Sequence, residues 1–227
     1  MGKTVTRAGS VVAAHPGIAV GTWLLGLAAG LGIMLAMHKP EQPPGPGANL
    51  IRNAGFERDT RFWQEWQPGT TIVTRTRATL HLGSASLRAA ALGTSRYGVH
   101  ELWIPAAPTR GDRFSLSLWL KGDASSQGKR VIVQVKLAPP SGAGGGLDES
   151  VSSPTATIIS RSVRLTATWR RFSASATATT SSAAAFDLLV VAESDIASGD
   201  AFYLDDVKLV RNPSTHRSAG RRGSGRT

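Results

Sequence analysis

In RFSLSLWLKG, Arg113–Gly122, apolar and polar residues alternate without a break: Phe114, Leu116, Leu118 and Leu120 fall on one side, Ser115, Ser117 and Trp119 on the other. Side chains repeat every two residues along a strand, so this period calls for one buried face and one outward face, and it does not suit a helix. Similar runs recur in TIVTRT, ATLHL, SLRAAAL, GVHELWI, RVIVQVKLA, ATIISRSVRL, WRRFSASATA, AFDLLVVAES and AFYLDDVKLV, with Gly, Pro, Asp and Ser between them. The fold class that follows is all-β, an antiparallel β-sandwich. Cys is absent, which removes any disulfide framework or thiolate metal site and leaves packing to hold the sheets together.

The chain ahead of the strands is of another kind. Pro16–Met37 is a run of 22 residues without a formal charge; at about 1.5 Å per residue, a helix of that length crosses the roughly 30 Å of a bilayer core. Lys3 and Arg7 precede it, whereas Lys39 is soon followed by Glu41, so the positive-inside rule keeps the N-terminus cytoplasmic and exports the rest. A cleaved secretory signal is the alternative, and it exports the domain as well. The stretch PEQPPGPGAN, Pro40–Asn49, reads as an extended spacer. The expected organisation is a cytoplasmic segment 1–15, a transmembrane signal anchor 16–37, a linker 38–48, a β-domain 49–211 and a basic tail 212–227 of a single-pass cell-membrane protein.

Charge separates the domain from its ends. The formal net charge is +11, yet residues 50–210 hold 18 Lys/Arg against 14 Asp/Glu, and the last 17 residues add five Arg and no acid. An Arg/Ser/Gly tail without aromatics reads as a solvated end, so no specific nucleic-acid partner is expected. Catalytic patterns are missing too. The five histidines show no H-E-x-x-H spacing, no G-x-S-x-G turn is present, and the GAGGG loop lacks a strand-to-helix setting. Glu101 and Asp187 are carboxylates on strands, but nothing in their spacing pairs them across one glycosidic bond. The segment Pro139–Ser153 reads as a long Gly/Ser loop.

The order NLIRNAGFE, a following Trp, GSASLRA, RFSLSLWLKG, LTATWRRFS and DAFYLDDVKL resembles the β-jelly-roll carbohydrate-binding modules of families four, nine and twenty-two, with a galactose-binding-domain-like fold, over about residues 49–211. The resemblance implies two stacked antiparallel sheets, a concave sugar-binding face and a structural calcium ion tying the start of the domain to its end. For that ion it implies Glu57 and Asp205 as carboxylate ligands and Gly55 as a carbonyl ligand, since a hard cation gathers several oxygens. A salt bridge at Glu57 and solvated aspartates at the strand end are the alternative. Asp205 and Asp206 cannot address one ion unless the strand bends between them.

A sugar ring stacks its C–H edges on an aromatic face while neighbouring polar groups hydrogen-bond its hydroxyls. Trp119 shares its face with serines and is the leading candidate. Gln134, in VIVQVKL, also faces away from its valines and is expected on the same polar surface. Arg96, Tyr97, Trp66 and Trp103 complete the candidate set, and Trp63 and Trp169 are expected in the core. The function implied is non-catalytic binding of a polysaccharide or cell-wall glycan by a membrane-anchored, extracellular module. An adaptor ectodomain contacting a protein partner is the alternative.

Overall fold

A computed structural model describes residues 44–138, 157–179, 181 and 185–212. The expected membrane span, most of the linker, the Gly/Ser loop and the tail beyond residue 212 lie outside the described residues. Among the described residues there are ten strands: β1 (Trp63–Glu65), β2 (Thr71–Thr76), β3 (Ser86–Ala91), β4 (Gly98–Ile104), β5 (Arg113–Gly122), β6 (Arg130–Ala138), β7 (Thr157–Arg164), β8 (Arg170–Thr177), β9 (Ala185–Ala192) and β10 (Ala201–Asn212). They form two five-stranded sheets, one ordered β2-β3-β10-β5-β8 and the other β1-β4-β9-β6-β7. Every pairing between these strands is antiparallel. The expected sandwich is therefore present.

Alternation decides which side chains lie between the sheets. Phe114, Leu116, Leu118 and Leu120 of β5 meet Val131, Val133 and Val135 of β6 and Phe186, Leu188 and Val190 of β9 in one core. Phe114 and Phe186 touch edge to face at 4.7 Å, a favoured aromatic geometry. Trp63 is buried as expected, with its ring 5.5 Å from that of Phe56. Two expectations fail. ATLHL is not a strand but a loop, because other groups satisfy its backbone: Asp205 Oδ2 accepts the amides of His81 and Leu82, and Ser86 donates to the carbonyl of Thr79. Trp169 is not in the core. It stands half-buried near His81 and Tyr203, at ring distances of 6.1 and 6.5 Å.

The ends of the domain are tied without disulfides. Asn49 bridges Val210, Leu50 donates its amide to Leu209, and Gly47 donates to Arg211. The Asn49 side chain reinforces the tie by accepting from Leu209 N and donating to Val207 O.

Candidate functional site

The two sheets offer different outer faces. On the sheet containing β5, Trp119 projects outward beside Ser117 and Ser115, as the alternation implies. Its ring is covered, however: His81 stacks on it at 3.6 Å with an 18° interplanar angle. On the other sheet, strand register lines up outward side chains in rows. One row runs Gln64, His100, Leu189, Gln134, Ser160, and Gln134 donates to Ser160 Oγ at 3.1 Å. The next runs Trp66, Gly98, Val191, Ile132, Ser162, with the Trp66 amide donating to Gly98 O. A third holds Asp187 opposite Lys136.

This places the candidate residues. Gln134 and Trp119 are on opposite sheets, so the expectation of one shared surface is corrected. Both point away from the core, but β5 and β6 belong to different layers, and alternation within a strand cannot reveal which layer the strand joins. Tyr97 is corrected as well: it is 1% exposed, with its ring 5.6 Å from that of Phe202. Burial drives its hydroxyl pKa upward, against a hydrogen bond with Ser126, so it packs and cannot meet a ligand. Trp66, Arg96, Trp103 and Gln134 lie on the β1-β4-β9-β6-β7 face, at different points along it. Arg96 lies over the Trp66 ring at 5.0 Å, a cation–π distance.

Trp103 arrives there through a backbone irregularity. The β4 register shifts between Glu101 and Ile104, and Trp103 has φ 59°, uncommon for a bulky residue. Glu101 and Ile104 both point inward, so Leu102 and Trp103 share the single outward step between them. The Trp103 amide donates to Asp187 Oδ1 at 3.0 Å. Burial raises the Asp187 pKa, opposed by that amide and by Lys136. Glu101 turns to the core and binds Arg52 at 2.8 Å. Glu101 and Asp187 thus occupy opposite faces of one sheet, which prevents them from flanking one glycosidic bond.

Sequence reasoning missed His100 on this face and, beside the sheet, Phe62, which is 43% exposed beneath the Arg52 guanidinium at 4.3 Å. His100 is only 7% exposed, and burial lowers its pKa to about 4. It is therefore a neutral imidazole at neutral pH, able both to donate and to accept. The available signal was the parity of GVHELWI: His100 alternates with Val99 and Glu101. The centre of the face is less accessible than its rim, because Leu189 and Val191 are buried while Gln64 and Arg96 are exposed.

Glu57 and Asp205, the carboxylates implied for calcium, converge on the turn at residues 81–84, where they accept from other donors. Glu57 accepts from Ser84 N at 3.0 Å and from Ser84 Oγ at 2.5 Å, contacts that lower its pKa. Asp205 accepts the amides of His81, Leu82 and Asp206. The carbonyls of Phe56 and Glu57 accept from Arg75. Among the described residues no three acidic or His side chains group as metal ligands. The strand does bend between the aspartates: register shifts between Asp205 and Lys208, Asp206 has φ 47°, and its carboxylate pairs with Lys208 at 2.9 Å. As arranged, these carboxylate oxygens accept from amides and a hydroxyl and hold the turn. Asp205→Ala is accordingly expected to cost about 1–3 kcal/mol by stranding three amides. Urea unfolding with calcium and with excess chelator checks this, and a loss seen only with calcium would restore the ion.

A family profile described as carbohydrate binding domain matches residues 48–195. The chain belongs to this family of carbohydrate-binding domains. Solved structures agree on the fold. The xylan-binding CBM22-1 domain of Paenibacillus barcinonensis Xyn10C is 17% identical, with a TM-score of 0.53 over 74% of this chain and 97% of that one. A family 16 carbohydrate-binding module is 18% identical, with a TM-score of 0.51 over 71% of this chain and 99% of that one. No curated protein matches. The carbohydrate-binding domain of this chain is of the jelly-roll type, and its two outer faces are those described above.

Proposed function

We propose that this domain is a non-catalytic carbohydrate-binding module that lays a glycan chain across the outer face of the β1-β4-β9-β6-β7 sheet. One observation carries the reading: four residues separated in sequence, Trp66, Arg96, Trp103 and Gln134, lie on that single face, with Arg96 over the Trp66 ring at 5.0 Å. Trp66 supplies the stacking platform. Neutral His100, with Gln64, Gln134 and Ser160, supplies donors and acceptors for hydroxyls, and the less accessible apolar centre at Leu189 and Val191 shields those bonds from water. In this reading Trp119, capped by His81 on the opposite sheet, takes no part. The module works outside the cell, held by residues 16–37 as a membrane anchor.

The test is binding of the detergent-solubilised full chain to xylan, the polymer of one structural neighbour, and to other plant and cell-wall polysaccharides. Trp66→Ala is expected to weaken binding about 5- to 30-fold, since losing a buried stacking contact costs about 1–2 kcal/mol, while Trp119→Ala leaves it unchanged. The opposite pattern would move the site to the other sheet. An alkaline wash of membranes checks the anchor: release of the chain by the wash would rule it out.

A further inference from the structure

The rim of the same face carries a row of cations that neutral sugars do not require. Register sets Arg130 directly opposite Arg164. Glu193 donates its amide to Arg130 O, and Ala192 donates to Tyr97 O, which continues the row to Arg96. The flank therefore reads Arg96, Glu193, Arg130, Arg164 and runs beside the row that begins at Trp66. All three arginines are exposed. Among the described residues none of the three forms an ion pair. The one acid in the row keeps its charge while Glu193 Oε2 accepts from Ser162 Oγ at 2.6 Å, a hydroxyl that Arg130 also reaches at 3.2 Å, so three arginines against one glutamate leave the row cationic.

Like charges directly opposite on neighbouring strands are destabilising. A protein with no use for the Arg130–Arg164 pair gains by losing it, and an anion placed between the two guanidinium groups removes the repulsion and accepts bidentate hydrogen bonds. Arg96 adds a third fork at the end of the row, against the aromatic platform. We propose that this flank recognises the anionic groups of an acidic polysaccharide, carboxylates of uronic acids or sulfates, while the Trp66 row carries the rings. The proposal rests on the glycan reading above and names the class of glycan.

The experiment compares the full chain with its Arg130→Gln/Arg164→Gln variant against polygalacturonate, heparin and neutral xylan at low and high salt. The wild type is expected to bind one of the acidic polymers at least about tenfold more tightly than xylan. That advantage should shrink with added salt and vanish in the variant, while affinity for xylan stays the same. Preference for polygalacturonate would assign carboxylates, and preference for heparin would assign sulfates. Equal binding of neutral and acidic polymers would overturn the proposal and leave the glycan reading intact, whereas silence on every polysaccharide would remove both. An acidic preference that survives in the variant but disappears when residues 213–227 are deleted would assign it to the tail and overturn the proposal. Without ligand the variant should melt no lower than the wild type. A lower melting temperature would show the arginines already compensated and would also overturn it.

Discussion

Acidification from pH 7 to pH 4 is expected to cost this domain about 3 kcal/mol through His100 alone. In the folded chain burial lowers the His100 pKa from 6.5 to about 4, and lowering a pKa by one is worth about 1.4 kcal/mol. Between those values the unfolded chain takes up a proton that the folded chain refuses. The unfolded state binds more protons there, so stability falls as pH falls through that window and levels off below it. Asp187 and Asp205 act the other way, because burial raises their pKa values and protonation on acidification relieves them. His100→Gln isolates the imidazole. Urea unfolding at pH 7 and pH 4.5 should show a smaller acid loss in the variant. An equal loss in both proteins would mean that His100 is protonated in the fold, and its role as a neutral partner for hydroxyls would go with it.

Gly98→Ala is expected to destabilise the domain by about 3 kcal/mol or more, an effect at the upper end for overpacking. A Cβ at this position would stand 2.3 Å from Val190 O and 2.6 Å from Val191 Cα. Both are backbone atoms of the neighbouring strand, so no rotamer change can make room. β4 would have to withdraw from β9, and the same shift would disturb the Gly98 carbonyl that accepts the Trp66 amide. Gly93→Ala is the control, because nothing lies within 4 Å of its Cβ, and it should change stability by less than about 0.5 kcal/mol. Comparable unfolding midpoints for the two variants would show that the sheet gives way at Gly98.

These two positions also show what the sequence conveys and what it withholds. GVHELWI reads as a strand from its apolar content, and the strand runs Gly98–Ile104 as expected. The same holds for RFSLSLWLKG and RVIVQVKLA, whose period separates core from outside residue by residue. Period says nothing about which sheet a strand joins. That is decided by pairing between distant segments, and it is why Gln134 and Trp119 look like neighbours in the sequence and are not. Tyr97 misleads for a related reason: it lies just before β4, in a loop that turns its ring inward onto Phe202. Trp103 reaches the expected face only because a bulge adds an outward step. ATLHL carries a strand-like pattern but forms a loop, since one carboxylate from the far end of the chain, Asp205, captures two of its amides. The family resemblance covers the fold, while Trp66, Arg96, Trp103 and Gln134, picked out by residue type and alternation, lie on the candidate face. The arginine row becomes visible only with register.

The tie at Asn49, Leu50 and Gly47 governs how the domain responds to force. The incoming segment 47–50 runs antiparallel to the outgoing segment 209–211, so the chain arrives and departs side by side. Tension applied to the two flanking segments would open these hydrogen bonds one after another, like a zipper, before any load reached β4 or β9. Force applied at Gly47 and Arg211 would therefore peel this junction first and leave the sheet of β4 and β9 unloaded.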